Sequence, residues 1–571
     1  MRRRIFTVRK AINWLLSFLA LAGVLALFFQ YHHKVGAFRP RLSVQISNLP
    51  YYAWCSFYRM LAAYILSLIF AVTYGMSAAK SPRHERFMIP AIDVAQSVPV
   101  VGFFPAAIYF FVAISGGGRL GVELAAIFLI FTSQAWNLAL GVYEAVKTIP
   151  ADSLEALDSF GISGWLRMKR LYLPASVPKL VYNSILSWVA GWYFLIACEI
   201  IAVGPAHYRL PGLGSYLMEA ADKGRVGELI AALVTLLVII LLMDVLVWQP
   251  LSVWAQKFRY EFAASESVGA NDIFDLIVSL GVNIRRLTRT LIHPLAALIK
   301  RVAQALPRPD LSVLLERIAK PLRYAWMAGL TALLTYAMVD GLIALVRTLS
   351  QPWPAEARMI PAAAGASLIR LLAAYAISLA WTLPCTLVAS DNPRFDRLLA
   401  PIAEVAGSMP ATALFPVIVL FVIRWTGNMN LAAVLLILTG MQWYLLFNLM
   451  AGARQVPADL KEAARSFGLG RLAGWRKVTV PALTPSLVTG SITAWGGGWN
   501  ALILSEFFIY RGHHYEVLGL GALLDRATYE SGNGTMILLS LLSMVLVVMG
   551  INRLVWRPVY NYVTERFRVD Y

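Results

Sequence analysis

The chain has 571 residues, of which 59% are hydrophobic and only 14% charged, with a mean hydropathy of +0.65. A soluble domain carries about 25% charged residues, so the composition excludes an ordinary soluble protein and indicates a polytopic membrane protein. The net charge of +19 does not imply nucleic-acid binding, because the basic residues stand between apolar runs, where cytoplasmic loops collect Lys and Arg.

At the amino terminus Met1-Arg2-Arg3-Arg4 leads into an apolar run over 11–29, followed by Gln30-Tyr31-His32-His33, which offers no small-residue cleavage site. Residues 1–55 are expected to form a retained signal-anchor helix and an outer segment. Further runs of roughly 17 to 25 residues, the length that crosses hydrocarbon, fall at 56–78, 98–115, 121–146, 178–203 and 228–250. After a gap they resume at 325–349, 366–389, 409–424, 429–452, 485–510 and 535–556, giving six plus six. With the amino terminus inside, the inner segments hold about 35 basic residues and the outer ones about 11, the asymmetry the positive-inside rule requires. In the gap, Ile277, Leu280, Ile284, Leu287 and Leu291 form one apolar helix stripe with Arg285, Arg286 and Arg289 off it. Residues 261–324 are therefore expected to be a cytoplasmic amphipathic linker on the anionic leaflet.

The second half repeats the first. Arg59-Met60-Leu61-Ala62-Ala63-Tyr64 matches Arg370-Leu371-Leu372-Ala373-Ala374-Tyr375, and Pro90, Pro99 and Pro105 match Pro401, Pro410 and Pro416, all at an offset of 311. Beyond a four-residue length change, Trp136, Trp188, Trp192, Glu199 and Gly212-Leu213-Gly214 match Trp443, Trp495, Trp499, Glu506 and Gly519-Leu520-Gly521 at 307. Trp248 and Pro250 match Trp556 and Pro558 at 308. Both halves run in the same direction, so they are parallel repeats about an axis along the membrane normal, with the pore expected between them.

The most telling repeat is a loop on the inner side, ADSLEALDSFGISGWLRMKRLYLPASVP at 151–178 and ADLKEAARSFGLGRLAGWRKVTVPALTP at 458–485. Each reads as a short helix, a glycine (Gly161, Gly468) and a basic helix closed by proline (Pro174, Pro481). Glu155-Ala156 and Glu462-Ala463-Ala464, with a glycine six positions after each Glu, resemble the EAA loop of binding-protein-dependent ABC importer permeases. The first copy departs from the pattern at Leu157, an apolar, helix-forming substitute for alanine. Ser97-Val98-Pro99 through Pro105, Ser408-Met409-Pro410 through Pro416, and the Glu-to-GlyLeuGly segments are similar to the nitrate, sulfonate and taurine branch of that family.

The resemblance implies an all-α polytopic membrane protein made of two tandem type I ABC importer permease domains. These are expected at 56–260 (loop 152–178) and 366–571 (loop 459–485), with an extra span and outer loop at 325–365. It also implies that Glu155, Ala156, Gly161, Glu462, Ala463 and Gly468 couple to two ATP-binding cassette ATPase subunits, which supply ATP and magnesium chemistry. An external solute-binding protein would deliver a small polar solute, such as a sulfonate, nitrate or bicarbonate anion, across the bacterial inner membrane. This chain has no Gly-x-x-x-x-Gly-Lys-Ser/Thr loop of its own, so no catalytic residue and no cofactor are expected in it.

Candidate pathway residues are Trp188, Trp192, Glu199, Trp495, Trp499, Asn500 and Glu506. An intramembrane carboxylate faces a cavity or a partner, so Glu199 and Glu506 read either as pathway groups or as structural pairs with backbone or arginine near the outer surface. The tryptophan pairs at i, i+4 share a helix face and serve either the pathway or packing. Gln134, Asn137, Gln442 and Asn448 bond either a solute or neighbouring helices. His32-His33 and His513-His514 lack companions at ligand spacing, so no metal site is expected. The alternative to an ATP-driven importer is an ion-gradient-driven secondary transporter with parallel repeats, which would place protonatable groups in the pore.

Overall fold

The computed structural model describes residues 42–97, scattered positions between 100 and 115, 119–162, 164–200, 210–258, scattered positions between 339 and 343, 345–510, 513–531 and 533–566. The expected anchor helix at 11–29, the linker at 261–324 and most of the run at 325–349 lie outside the described residues.

In the first half a proline near the start, Pro50, opens α1 (Leu49–Lys80). α2 (Pro82–Ser97), α3 (Arg119–Lys147), the short α4 (Ala151–Ser159), α5 (Leu173–Ile200), α6 (Leu213–Asp222) and α7 (Val226–Met243) follow. The second half gives α8 (Ile360–Asp391), α9 (Pro393–Ser408), α10 (Ala411–Thr426), α11 (Met429–Gln455), the short α12 (Ala458–Ser466) and α13 (Val480–Glu506). It ends with a hairpin of β1 (Phe507–Tyr510) and β2 (His513–Glu516), then α14 (Leu520–Arg526), α15 (Gly534–Ile551) and α16 (Arg557–Arg566). Among the described residues 7 helices are long and apolar enough to cross a membrane, and α9 with the start of α10 forms a further pair bent by 82°. The protein is an all-α polytopic membrane protein with one short hairpin among the described residues.

Two expected spans need correction. The run at 409–424 is not a straight helix by itself: Met409 is extended before Pro410, as a residue preceding proline tends to be. The chain therefore breaks between α9 and α10, whose 16 residues are short for a full crossing. The run at 485–510 stops as a helix at Glu506, and Phe507 turns into the hairpin.

Packing follows the repeat. α1 packs on α3 and α3 on α5, as α8 packs on α11 and α11 on α13. Four π turns also recur in register: Met168–Tyr172 with Trp475–Thr479, and Asp244–Trp248 with Asn552–Trp556. Each ends two residues before a proline, Pro174, Pro481, Pro250 or Pro558. Proline donates no hydrogen bond and its ring crowds the carbonyl four residues back, and a widened turn accommodates both effects.

The halves are joined at several levels. One apolar cluster contains buried Val122, Leu129 and Phe194 together with Leu520, Leu524 and Leu541. The Thr412 hydroxyl donates to the Tyr193 carbonyl (2.9 Å) and the Val100 N–H donates to the Asn500 side chain (3.2 Å). Arg557 pairs with Asp93 across the same boundary at 3.4 Å.

Candidate functional site

The two repeated loops lie on one side of the bundle, here called the loop side. In both, the helix ends in the same cap: Gly161 (φ 64) donates to the Asp158 carbonyl and Ile162 to Leu157, while Gly468 (φ 70) donates to Arg465 and Leu469 to Ala464. This pattern satisfies two of the last carbonyls through a left-handed residue, which is why glycine stands six positions after each Glu. Just before it, Phe160 and Phe467 are 79% and 83% exposed. Aromatic rings left in water at matched positions mark a contact surface. Glu155, Ala156, Glu462 and Ala463 are also exposed. The loops are anchored differently: Arg167 pairs with Asp158 (2.8 Å) within the first, whereas the Trp475 indole N–H donates to Asp391 of α8 (2.7 Å) in the second. Nearby, hydrogen bonds from Lys147 and Tyr143 hold the Glu85 carboxyl below the usual carboxylate range and tie α2 to the end of α3.

At the opposite end of α5 and α13 lie Glu199 and Glu506, both fully buried. Glu199 accepts from the Ser56 hydroxyl (2.7 Å), the Arg59 guanidinium (2.7 Å) and the Gly214 N–H (2.8 Å), and Ser56 in turn accepts from the Leu213 N–H (2.9 Å). Glu506 accepts from Ser367 (2.6 Å), Arg370 (2.7 Å) and the Gly521 N–H (2.7 Å), with Ser367 accepting from the Leu520 N–H (3.0 Å). Each carboxylate with its serine thus caps the first turn of α6 or α14, where unpaired N–H groups and the helix dipole favour negative charge. A Cβ on Gly212 or Gly519 would lie 2.2 or 2.1 Å from the carboxylate, so glycine at the N-cap is what lets the acid approach. Arg59 and Arg370 also donate to the Pro211 and Leu518 carbonyls at 2.9 and 2.7 Å.

The two nodes differ in one partner. Arg59 additionally holds Glu123 through two bonds (2.5 and 2.9 Å), whereas Arg370 meets the Asn430 amide oxygen (2.9 Å) at the equivalent position. Sequence reasoning did not pair Ser56 or Arg59 with Glu199. The signal available was that arginine recurs, at 59 and 370, inside an apolar helix that could not hold it unpaired.

The tryptophans lie within the separate halves. Trp188 packs against Tyr64 (5.4 Å) and Trp248 (5.6 Å), and Trp495 against Tyr375 (5.9 Å) and Trp556 (5.7 Å). Trp192 and Trp499 are buried beside them. Of the candidate pathway residues, only Asn500 is half-buried and bonded across the boundary between halves. Asn137 donates to Ser187 (3.1 Å) and Asn448 to the Tyr444 carbonyl (2.8 Å); Gln134 is fully buried.

One close approach is exchanged between the copies. A Cβ on Gly141 of α3 would meet the Asn183 side chain of α5 at 2.0 Å, and a Cβ on Gly490 of α13 would meet Asn448 of α11 at 2.8 Å. Glycine and asparagine have traded helices, because 183 and 490, like 141 and 448, are equivalent positions.

Comparison with known proteins agrees with this geometry. The profile of the family described as "Binding-protein-dependent transport system inner membrane component" matches residues 71–248 and 377–558, together more than half of the chain. The bicarbonate transport system permease protein of Synechocystis sp. is 23% identical over 186 residues, 33% of this chain and 62% of its own length. The nitrate import permease protein of Leptolyngbya laminosa is 24% identical over 257 residues, 42% of this chain and 86% of its own length. The taurine transport system permease protein of Escherichia coli is 25% identical over 186 residues, 33% of this chain and 62% of its own length. With matched, equally capped loops on one side, matched buried acids at the other end and two family domains in register, the chain belongs to the binding-protein-dependent transport system inner membrane components and carries their domain twice.

Proposed function

We propose that the chain is the transmembrane pore subunit of an ATP-driven importer, moving a small polar solute across the inner membrane by alternating access. In this reading two ATPase subunits, which bring ATP and magnesium, dock on α4 and α12 from the cytoplasm. Glu155, Ala156, Gly161, Glu462, Ala463 and Gly468 shape the docking surfaces, and a solute-binding protein delivers the cargo to the opposite face. The amino terminus is then cytoplasmic. The observation that carries the reading is the duplicated loop, in which the same cap presents the same exposed phenylalanine twice on one side. As the ATPases approach and separate, each would move one loop, and the two halves would rock about the pore between them.

The names of the relatives cover anions, bicarbonate and nitrate, as well as taurine and, in Bacillus subtilis, glycine betaine; a small polar solute is their common ground. An ion-driven carrier would use acids in the pathway, and the engagement of Glu199 and Glu506 in capping and arginine pairing speaks against that alternative. The test is co-purification with candidate ATPase subunits, comparing wild type with Glu155→Ala/Glu462→Ala. Loss of association or of ATP hydrolysis in the double variant is expected. Transport that follows an ion gradient without ATP would overturn the reading.

A further inference from the structure

The two halves diverge where α11, α13 and α16 meet on the loop side. There the second half holds a cleft of about 320 Å³, whose lining includes Asn448, Gln455, Ser486, Thr489 and Tyr560 and, among the described residues, no charged side chain. Its volume is that of a small-molecule site. Neither Ser486 nor Gln455 makes a side-chain hydrogen bond among the described residues, so both have capacity to spare.

The first half carries larger side chains at the matching positions. Ala451 stands where the first half has Glu144, Ser486 where it has Lys179, and Thr489 where it has Tyr182, each at an offset of 307. Glu144 and Lys179 pair with each other at 3.1 Å. At these three positions of the cleft wall the second half therefore carries the shorter, uncharged side chain.

From the cleft a polar line climbs α13 through Thr489, Thr493, Gly496 and Asn500. Steps of four, three and four keep these on one helix face, and Asn500 meets the first half at the Val100 N–H. The first three are exposed. The matching face of α5 carries Tyr182, Leu186, Val189 and Tyr193, so this face is small and polar on α13 but bulky and apolar or aromatic on α5.

We propose that this cleft is a binding station for a small solute of zero net charge, uncharged or zwitterionic, held by hydrogen bonds. An ion with unbalanced charge would lose water with no opposite charge in the lining to offset it. An uncharged solute exchanges water for amides and hydroxyls at little net cost, and a zwitterion brings its own counter-charge while its carboxylate takes hydrogen bonds from the same donors. The station deepens the importer reading and rests on it for the claim that the bound molecule is cargo.

The test uses the full chain in nanodiscs without any ATPase subunit, with radiolabelled glycine betaine (a zwitterion) and nitrate (an anion) in equilibrium dialysis. Two variants copy the first half and close the cleft, Ala451→Glu/Ser486→Lys and Thr489→Tyr, each checked for a wild-type elution profile. The expected result is retention of glycine betaine by wild type, weakened at least about tenfold in both variants, and no retention of nitrate. Absence of glycine betaine binding to wild type, equal binding by the closed variants, or nitrate binding that the variants abolish would each overturn the proposal. Should glycine betaine behave as expected while no ATPase co-purifies with the chain, the station stands and the importer reading fails.

Discussion

Glu506→Gln removes the only carboxylate that pairs with Arg370 among the described residues, leaving a guanidinium about 8% exposed with neutral partners. Breaking a buried pair from one side costs about 3–5 kcal/mol. Glu199→Gln makes the same chemical change in the first half, but Arg59 keeps both bonds to Glu123, so the loss there is closer to that of a charged hydrogen bond, about 1.5–3 kcal/mol. The gap of about 2 kcal/mol corresponds to an unfolding midpoint about 4–8 °C lower for Glu506→Gln than for Glu199→Gln, at the sensitivity of a unit of this size. Thermal unfolding in detergent, followed by intrinsic tryptophan fluorescence, measures the difference. Adding Asn430→Glu to Glu506→Gln rebuilds the Glu123 arrangement and should recover most of the loss. Equal midpoints for the two single variants, or no recovery, would refute the view that the second carboxylate separates the two nodes.

Gly212→Ala and Gly519→Ala push a methyl into the Glu199 or Glu506 carboxylate, and each should lower the unfolding midpoint by the equivalent of about 1–3 kcal/mol. Gly161→Ala and Gly468→Ala force alanine into the left-handed region at a cost of about 1–2 kcal/mol. The loss should appear as faster amide exchange confined to the affected loop, with the rest of the chain unchanged. Gly490→Asn alone should block folding of the second half, whereas Asn448→Gly/Gly490→Asn, which copies Gly141 and Asn183, should restore the elution profile of wild type.

The sequence was most readable where order is local. Helix, glycine and proline spacing located both loops to within a residue of α4 and α12, because capping is decided by neighbours a few positions apart. The repeat offsets paired Trp248 with Trp556 and Glu199 with Glu506 before any contact was known. Hydropathy could not place the break at Met409-Pro410 or the end of α13, since apolar side chains continue through both and only backbone geometry changes there. Nor could it join Glu199 to Ser56 and Arg59, which lie 143 and 140 positions away. That link depends on how α1 and α5 pack.

The π turns set the direction in which helix faces point. Each is a helix holding one residue more than its regular ladder needs, and that extra residue turns every side chain beyond it to a new face. The four that match, at 168–172, 475–479, 244–248 and 552–556, therefore follow their prolines: wherever the repeat keeps one of these prolines, the helix is rotated and shifted by the same amount just before it. The π turn at Ala527–Ser531 has no partner at 220–224, where α6 runs on to Asp222.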